Sequence, residues 1–201
     1  TLAGWCALSR PDIFKSVALM SSPFRGAPAA LPLNTANVPP APIKPNQISE
    51  ELARLSPPRK YYQNYFATEA ANKNMWQAEQ GLKQFMRAYY HMKSADWPEN
   101  APFKLKGLLA SEWEKLPRYY VMDLELGMAE TVLSAIPSQQ EIEACEWLPD
   151  NELEFYANEY SRTGFQGGLQ GYRNNPYDKD LAIFSGKKIE VPSIFISGEK
   201  D

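Results

Sequence analysis

The sequence has few of the side chains from which metal centres and disulfide frameworks are built. Its 201 residues include two cysteines, Cys6 and Cys145, and a single histidine, His91. Two distant cysteines supply neither a set of disulfides nor the spacing of metal ligands. We therefore expect no metal site and no cofactor, and the low cysteine content favours a reducing, cytoplasmic compartment.

Long apolar runs and a strong excess of one charge are also missing. No run approaches the roughly 18 to 20 apolar residues that a membrane-spanning helix needs. Lysine and arginine together number 21 against 24 acidic residues, which gives a net charge of −3. The basic residues are dispersed rather than clustered, so we expect neither a nucleic-acid partner nor a membrane partner.

Short catalytic motifs are equally scarce. The sequence contains no G-x-S-x-G, P-loop or H-E-x-x-H motif, and no G-x-G-x-x-G run follows a strand-like segment. His91 follows an apolar helical stripe beside Tyr89 and Tyr90, which favours a structural rather than a catalytic role. Motifs of this kind therefore assign no chemistry to the sequence.

The two ends of the sequence predict an α/β fold. A helix over residues 1–10 ends before Pro11, because proline disfavours helical geometry in the residue before it. The apolar run 14–20 predicts a buried parallel strand, and the run 191–198 predicts a second buried strand. The acidic segment Glu199-Lys200-Asp201 follows that second strand, at the end of the sheet where α/β proteins place their ligands and where a carboxylate can orient a histidine.

The middle of the sequence predicts helices. Residues 25–45 are rich in Pro, Ala and Asn and predict a loop. Apolar side chains at helical spacing follow. The helices that they predict cover residues 59–72, 75–92, 127–135, 151–162 and 178–184.

A glycine-rich run at 162–175 interrupts this helical pattern. Each glycine adds backbone entropy that folding must remove, so the run is poor material for a helix or a strand. We expect a tight turn there that presents Tyr172 at a defined place.

Five segments resemble, in the same order along the chain, the soluble epoxide hydrolases, which are α/β-hydrolase-fold enzymes with a helical cap. The most specific of the five is the glycine-rich segment TGFQGGLQGYRN. The strand segments are not specific by themselves, and they support the resemblance through the shared order. The segments are ALSRPDIFKSV at 7–17, SPF at 22–24, YQNYF at 62–66, TGFQGGLQGYRN at 163–174 and VPSIFISGEKD at 191–201.

The resemblance implies α/β-hydrolase fold core pieces with a large helical cap inserted between them. Residues 1–24 and 176–201 would belong to the core, and residues 25–175 would form the cap domain. The implied reaction is hydrolysis of a small-molecule epoxide by water to a vicinal diol, through a covalent alkyl-enzyme ester.

The resemblance also implies roles for single residues. Tyr62 and Tyr172 would hydrogen-bond the epoxide oxygen and donate a proton as the ring opens. Asp201 would be the acid of the catalytic triad and would partner a histidine that activates the hydrolytic water. The apolar wall of the pocket would consist of Trp5, Phe24, Tyr65 and Phe66.

Two other members of the family's active site are expected outside the sequence. The aspartate nucleophile would precede Thr1 and the catalytic histidine would follow Asp201, so we expect the segment alone to be inactive. Two alternatives stay open. One is a haloalkane or haloacid dehalogenase of the same fold, which needs donors for a halide, and the other is a non-catalytic hydrolase-like binding protein.

Overall fold

The computed structural model describes residues 2–27, 45–173 and 181–200. These parts combine helices with two small sheets, which is compatible with the predicted α/β class. No helix in the described ranges is both long enough and apolar enough to cross a membrane.

The chain divides into two compact units. We call Thr1–Ala41 with Asn175–Asp201 the end unit, and Pro42–Asn174 the helical unit. The regular elements follow in chain order. They are α1 (Leu2–Ser9), β1 (Val17–Met20), α2 (Pro45–Ala53), β2 (Arg59–Tyr61), α3 (Tyr62–Phe66), α4 (Ala70–Trp76), α5 (Leu82–Lys93), α6 (Ala110–Trp113), β3 (Val121–Asp123), α7 (Met128–Thr131), a 3₁₀ helix (Val132–Ala135), α8 (Gln139–Ala144), α9 (Asp150–Thr163), α10 (Gln166–Arg173), a second 3₁₀ helix (Ala182–Phe184) and β4 (Ser193–Ile196).

The end unit contains a parallel pair of strands. β1 pairs with β4 in a register that runs from Val17 opposite Ser193 to Met20 opposite Ile196. Both predicted strands are therefore confirmed, each shorter than its apolar run, but Val17 is the one buried residue of β1, so its predicted burial is confirmed only there. All four residues of β4 are exposed, so the prediction that this strand is buried is wrong. A parallel strand is buried only when other elements cover both of its faces, and the described residues of the end unit leave β4 uncovered.

The helical unit is organised around α5. The side chains of Phe85, Met86 and Met92 on this helix are at most 2% exposed. They pack in one core with Val132 of the first 3₁₀ helix and Leu153 of α9. Burial of each large apolar side chain contributes about 1.5 to 3 kcal/mol, so this core is the main source of stability for the unit.

The prediction of one helix over 59–72 is wrong, because the segment forms β2, α3 and the start of α4. β2 pairs antiparallel with β3, and Arg59 lies opposite Asp123, with which its side chain forms an ion pair. The helical apolar spacing comes from Tyr65 and Phe66, which α3 buries. Local spacing cannot reveal that the residues before them find a strand partner far along the chain.

The predicted helix over 75–92 begins later than expected, at Leu82. Gly81 has a φ of 82°, in the left-handed region that a right-handed helix excludes, so α4 and α5 are separate helices. The helices predicted over 127–135 and 151–162 are confirmed, the first as α7 with the 3₁₀ helix that follows it, the second as α9.

The glycine-rich run is a helix, so the prediction of a turn is wrong over most of its length. The turn is confined to Gly164, whose φ of 61° lies in the left-handed region. α10 then continues to Arg173 and places Leu169 in the core at 5% exposure. Packing of this kind, rather than intrinsic propensity, supplies most of the stability of short helices, and here it outweighs the entropy of the glycines.

Two predicted segments lie partly outside the described residues. Of the loop expected at 25–45, residues 28–44 are not among them, and α2 begins at Pro45. Of the helix expected at 178–184, the described part ends in the 3₁₀ helix Ala182–Phe184.

Asn74 of α4 bonds to two neighbouring helices, α3 and α7, through its carboxamide. Its Oδ1 accepts from the Tyr65 hydroxyl at 2.6 Å and from the Ala129 backbone amide at 3.1 Å. Its Nδ2 donates to the Glu130 carboxylate at 2.9 and 3.0 Å. A half-buried amide with its donors and acceptors satisfied in this way fixes α4 against α3 and α7.

Gly127→Ala is expected to destabilise the helical unit. An added Cβ would overlap the Asn74 carboxamide, which its hydrogen bonds hold in place. We expect a loss of about 1 to 3 kcal/mol, the usual cost of overpacking. Urea unfolding of the 201-residue chain measures it.

Gly167→Ala is the matched control for this change. An added Cβ in α10 meets no atom within 4 Å, and alanine is the better helix former by about 0.8 to 1.0 kcal/mol. The control is therefore expected to unfold at higher urea than the parent. Equal stability of the two variants would contradict the assigned contact.

Candidate active site

Tyr62 and Tyr172, which are 110 positions apart in the sequence, lie side by side in the helical unit. Their ring centroids are 6.1 Å apart and their planes make an angle of 73°. Edge-to-face pairs in this range of distances are favourable, because the positive edge of one ring meets the negative face of the other. The two residues singled out from the sequence are thus brought together by the fold.

Further aromatic side chains hold this pair, and together they form the tyrosine cluster. The Phe66 ring contacts both partners, with centroids 5.5 Å from Tyr62 and 5.1 Å from Tyr172. Tyr61 and Tyr120 contact the Tyr62 ring at 4.9 and 5.4 Å. Sequence reasoning missed Tyr61 and Tyr120. The adjacent doublets Tyr61-Tyr62 and Tyr119-Tyr120 were the available signal, but only the pairing of β2 with β3 brings them together.

The backbone places Tyr62 at the junction of a strand and a helix. β2 ends at Tyr61, which lies opposite Val121 of β3. The Tyr62 amide then donates to the Tyr120 carbonyl at 2.9 Å, which extends the ladder by one bond as α3 begins. The backbone of Tyr62 is therefore held by the β2–β3 sheet before it and by α3 after it, which fixes the starting point of its side chain.

α10 places Tyr172, and α4 holds the beginning of α10. The Phe165 amide donates to Asn72 Oδ1 at 2.8 Å, and Trp76 Nε1 donates to the Ser161 carbonyl at 3.0 Å. A side chain on Gly164 would press against Asn72 Oδ1 at 3.0 Å, and the positive φ there disfavours other residues as well. The turn between α9 and α10 therefore has a defined position on α4.

The far end of α10 is tied to α3. Arg173 Nε donates to the Ala67 carbonyl at 3.1 Å, and Arg173 Nη2 donates to the Thr68 carbonyl at 2.9 Å. Carbonyls just after a helix lack intrahelical partners and carry partial negative charge, so a guanidinium is well suited to them. We call these two hydrogen bonds of Arg173 the clamp. Because Tyr172 directly precedes Arg173 and α3 begins at Tyr62, the clamp joins the two helices that carry the tyrosines.

The hydroxyl groups of the pair are phenols that can donate hydrogen bonds. Gln63 Nε2 donates to the Tyr62 hydroxyl oxygen at 3.1 Å. Tyr172 is 40% exposed and therefore reachable by a small molecule. Two phenol donors on neighbouring rings can stabilise one oxygen on which negative charge develops.

Burial, with smaller contributions from the nearby Tyr62 and Tyr89, raises the pKa of Tyr172 to about 12. Burial disfavours the charged phenolate, because the aromatic surroundings solvate it poorly. At neutral pH the Tyr172 hydroxyl is therefore protonated and remains a hydrogen-bond donor.

The residues predicted for the apolar wall lie in both units. In the end unit, Trp5 and Phe24 form an edge-to-face pair with centroids 5.1 Å apart. In the helical unit, Phe66 belongs to the tyrosine cluster, whereas Tyr65 is 7% exposed and donates to Asn74.

Two further residues complete the comparison with the sequence. Asp201 lies outside the described residues. His91 is 9% exposed on α5 in the helical unit. Within the part of the chain that the structure describes, no three His, Cys, Asp or Glu side chains are grouped closely enough to hold a metal ion.

The difference in alkaline titration between the parent and Tyr172→Phe is expected to have its midpoint near pH 12, against about 10 for an ordinary tyrosine. Because the folded-state pKa is raised, Tyr172 stabilises the fold fully below pH 10, and this contribution is lost as the pH rises to 12. Phenolate absorbance in the ultraviolet measures the midpoint. A difference curve centred near pH 10 would contradict the burial of the ring.

Comparison with known proteins finds similarity to epoxide hydrolases over part of the chain. Epoxide hydrolase A of Mycobacterium tuberculosis (strain ATCC 25618 / H37Rv) is 47% identical over 58 residues, which make up 27% of this chain and 17% of that protein. Epoxide hydrolase B of the same strain is 41% identical over 56 residues, covering 27% of this chain and 16% of that protein. Bifunctional epoxide hydrolase 2 of Mus musculus is 38% identical over 53 residues, which cover 26% of this chain and 10% of that protein.

No family model and no solved structure matches the chain. The matched segments span at most 17% of the length of these three relatives. Within those bounds, the chain contains an epoxide hydrolase-like region that covers about a quarter of its length.

Proposed function

We propose that the chain belongs to an enzyme that hydrolyses epoxides to vicinal diols, and that Tyr62 and Tyr172 activate the epoxide oxygen. The observation that carries the proposal is the pairing of these two rings at 6.1 Å in a chain that contains an epoxide hydrolase-like region. In this proposal residues 25–175 form the cap, and residues 1–24 and 176–201 belong to an α/β-hydrolase core.

The chemistry needs a donor where negative charge develops. A carboxylate attacks one epoxide carbon, the carbon–oxygen bond breaks, and its electron pair moves to the oxygen. The two phenols hydrogen-bond this oxygen, and one of them gives up its proton, which produces the alcohol and a covalent ester. Because its pKa is raised, Tyr172 stays protonated until negative charge develops on the epoxide oxygen and makes it a strong enough base to take a proton.

The second half of the reaction releases the diol. A histidine removes a proton from water, the resulting hydroxide attacks the ester carbonyl, and the ester bond breaks to give the second alcohol of the diol and the free carboxylate. The proton held by the histidine then returns to the tyrosine that gave its proton to the epoxide oxygen. We propose that Asp201 is the carboxylate that orients this histidine and stabilises its imidazolium form. The attacking carboxylate and the histidine are expected in the full-length gene product, outside these 201 residues.

Tyr62→Phe and Tyr172→Phe are each expected to lower the kcat of the full-length gene product on styrene oxide about hundredfold, and the double variant further. Each substitution removes one donor to the developing alkoxide while keeping the ring that packs in the cluster. Steady-state kinetics, with diol quantified by chromatography, measures the loss.

Tyr156→Phe is the matched control, because Tyr156 lies on α9, is 44% exposed and is not part of the tyrosine cluster. The control is expected to retain parental activity. Full activity in the Tyr62/Tyr172 double variant would rule out the assigned roles. Halide release from haloalkanes without any epoxide turnover would instead favour a dehalogenase.

Asp201→Asn is expected to stop the reaction after its first half. Ring opening needs only the nucleophile and the tyrosines, whereas hydrolysis of the ester needs an oriented histidine. Loss of such a carboxylate slows its reaction about 10⁴-fold. Intact-protein mass spectrometry should therefore show an adduct with the mass of one styrene oxide that persists in the variant after the parent protein has returned to its unmodified mass.

The same measurement on the triple variant Asp201→Asn, Tyr62→Phe, Tyr172→Phe separates ring opening from hydrolysis of the ester. We expect the adduct to form far more slowly there, because its formation depends on the tyrosines. An Asp201→Asn variant that turns over at the parental rate without an adduct would contradict the role of Asp201.

A further inference from the structure

Tyr62 and Tyr172 differ in what their surroundings offer to a phenol that has lost its proton. Both hydroxyls can hydrogen-bond the epoxide oxygen, but this oxygen takes only one proton when the ring opens. The tyrosine that gives the proton becomes a phenolate, with the negative charge on its oxygen. Donors that already point at that oxygen stabilise the phenolate, so they determine which tyrosine acts as the acid.

The Tyr62 oxygen has a donor from a side-chain amide. Gln63 Nε2 donates to it at 3.1 Å, from the next residue of α3. A hydrogen bond becomes charge-assisted when its acceptor turns negative, and such bonds are roughly twice as strong as neutral ones. The contact with Gln63 therefore strengthens as Tyr62 loses its proton.

Tyr61 places a second phenol beside Tyr62. The ring centroids of these two residues are 4.9 Å apart, and the Tyr61 ring also contacts Trp113 at 4.9 Å. Burial raises the pKa of Tyr61, with smaller contributions in the same direction from the charge of Tyr62 and from a hydrogen bond between the two side chains. A hydrogen bond raises the pKa of an acid when the protonated form donates it, so Tyr61 keeps its proton and donates to Tyr62.

Tyr172 has no such donor in the described part of the chain. Its ring contacts those of Tyr62 and Phe66, with centroids at 6.1 and 5.1 Å. Burial is the main cause of its raised pKa, and no hydrogen bond contributes. A phenolate at Tyr172 would therefore face aromatic surfaces, which solvate a negative charge poorly.

The cation that follows Tyr172 in the sequence is already used. Arg173 donates through Nε and Nη2 to the Ala67 and Thr68 carbonyls. These bonds direct its guanidinium at the end of α3. The positive charge nearest to Tyr172 in the sequence thus serves the clamp.

We propose that Tyr62 is the phenol that gives its proton to the epoxide oxygen, and that Gln63 and Tyr61 are the positioning residues that hold its phenolate. This inference rests on the proposed function. The O–H bond of Tyr62 breaks, its electron pair stays on the Tyr62 oxygen, and the proton completes the alcohol. Tyr172 donates a hydrogen bond to the same oxygen and keeps its proton. The proton that the histidine takes from water later returns to Tyr62.

Single-turnover kinetics of the full-length gene product tests the proposal. Styrene oxide is mixed with excess protein and its consumption is followed by chromatography, so the rate reports ring opening alone. Gln63→Met keeps the length of the side chain and removes the donor, and we expect it to slow ring opening about tenfold. Gln63→Glu is expected to slow it more, because a carboxylate opposes the negative charge on the Tyr62 oxygen.

A double-mutant cycle with each tyrosine tests the assignment of the acid. In the Tyr62→Phe background, Gln63→Met is expected to change the rate less than about twofold, because no phenolate forms there. In the Tyr172→Phe background the full loss of about tenfold is expected. Tyr61→Phe keeps the ring on Trp113, and we expect a loss of about fivefold that also disappears in the Tyr62→Phe background.

Gln84→Met is the matched control. It makes the same change at an exposed position of α5 that is not part of the tyrosine cluster, and is expected to retain the parental rate. The dependence of the rate on protein concentration gives the affinity for styrene oxide. Gln63→Met is expected to leave this affinity unchanged, whereas a merely structural role would alter it together with the rate.

Several results would overturn the proposal. They are equal effects of Gln63→Met in the two tyrosine backgrounds, a Gln63→Glu variant as fast as Gln63→Met, and equal rates of Gln63→Met and Gln84→Met. Each of these leaves the proposed function standing, because the parent still opens the epoxide. A full-length gene product that consumes no styrene oxide would overturn both. Cooperative thermal unfolding of each variant shows that a loss of rate does not result from a loss of the fold.

Discussion

The clamp between Arg173 and the end of α3 is the interaction on which the geometry of the candidate active site depends. One guanidinium donates to the Ala67 and Thr68 carbonyls, which follow the helix that begins at Tyr62. Tyr172 is the residue directly before that guanidinium. This side chain therefore ties together the helices that carry two tyrosines far apart in the sequence, and it does so by satisfying carbonyls that a helix end leaves without partners.

Other hydrogen bonds of the helical unit fix the helices that this clamp joins. Asn72 and Asn74, on the same short helix α4, act on different neighbours. Asn72 holds the turn that precedes α10, and Asn74 holds α3 and α7. Short helices such as α3 and α4 are not stable by themselves, so their positions depend on such side-chain bonds and on the core around α5. The tyrosine cluster thus depends on the core around α5 as well as on these hydrogen bonds.

The sequence predicted the parts of this arrangement that follow from local pattern. The apolar runs of β1 and β4, the stripe of α9 and the motifs around Tyr62 and Tyr172 could all be identified from neighbouring residues. The strand β2 could not be, because its three residues become a strand only through pairing with β3. Helix α10 was missed because three glycines oppose a helix locally, while the burial of Leu169 that offsets them is a tertiary contact. Tyr120 and Arg173 were missed for the same reason, since their roles arise from partners distant in the sequence.

The central claim is that the two phenols share one oxygen of the ligand. A crystal structure of the full-length gene product with the diol of styrene oxide bound tests it most directly. The account predicts that the Tyr62 and Tyr172 hydroxyl oxygens both lie about 2.5 to 3.0 Å from the same diol oxygen. A diol bound elsewhere, or one that contacts neither tyrosine, would contradict it.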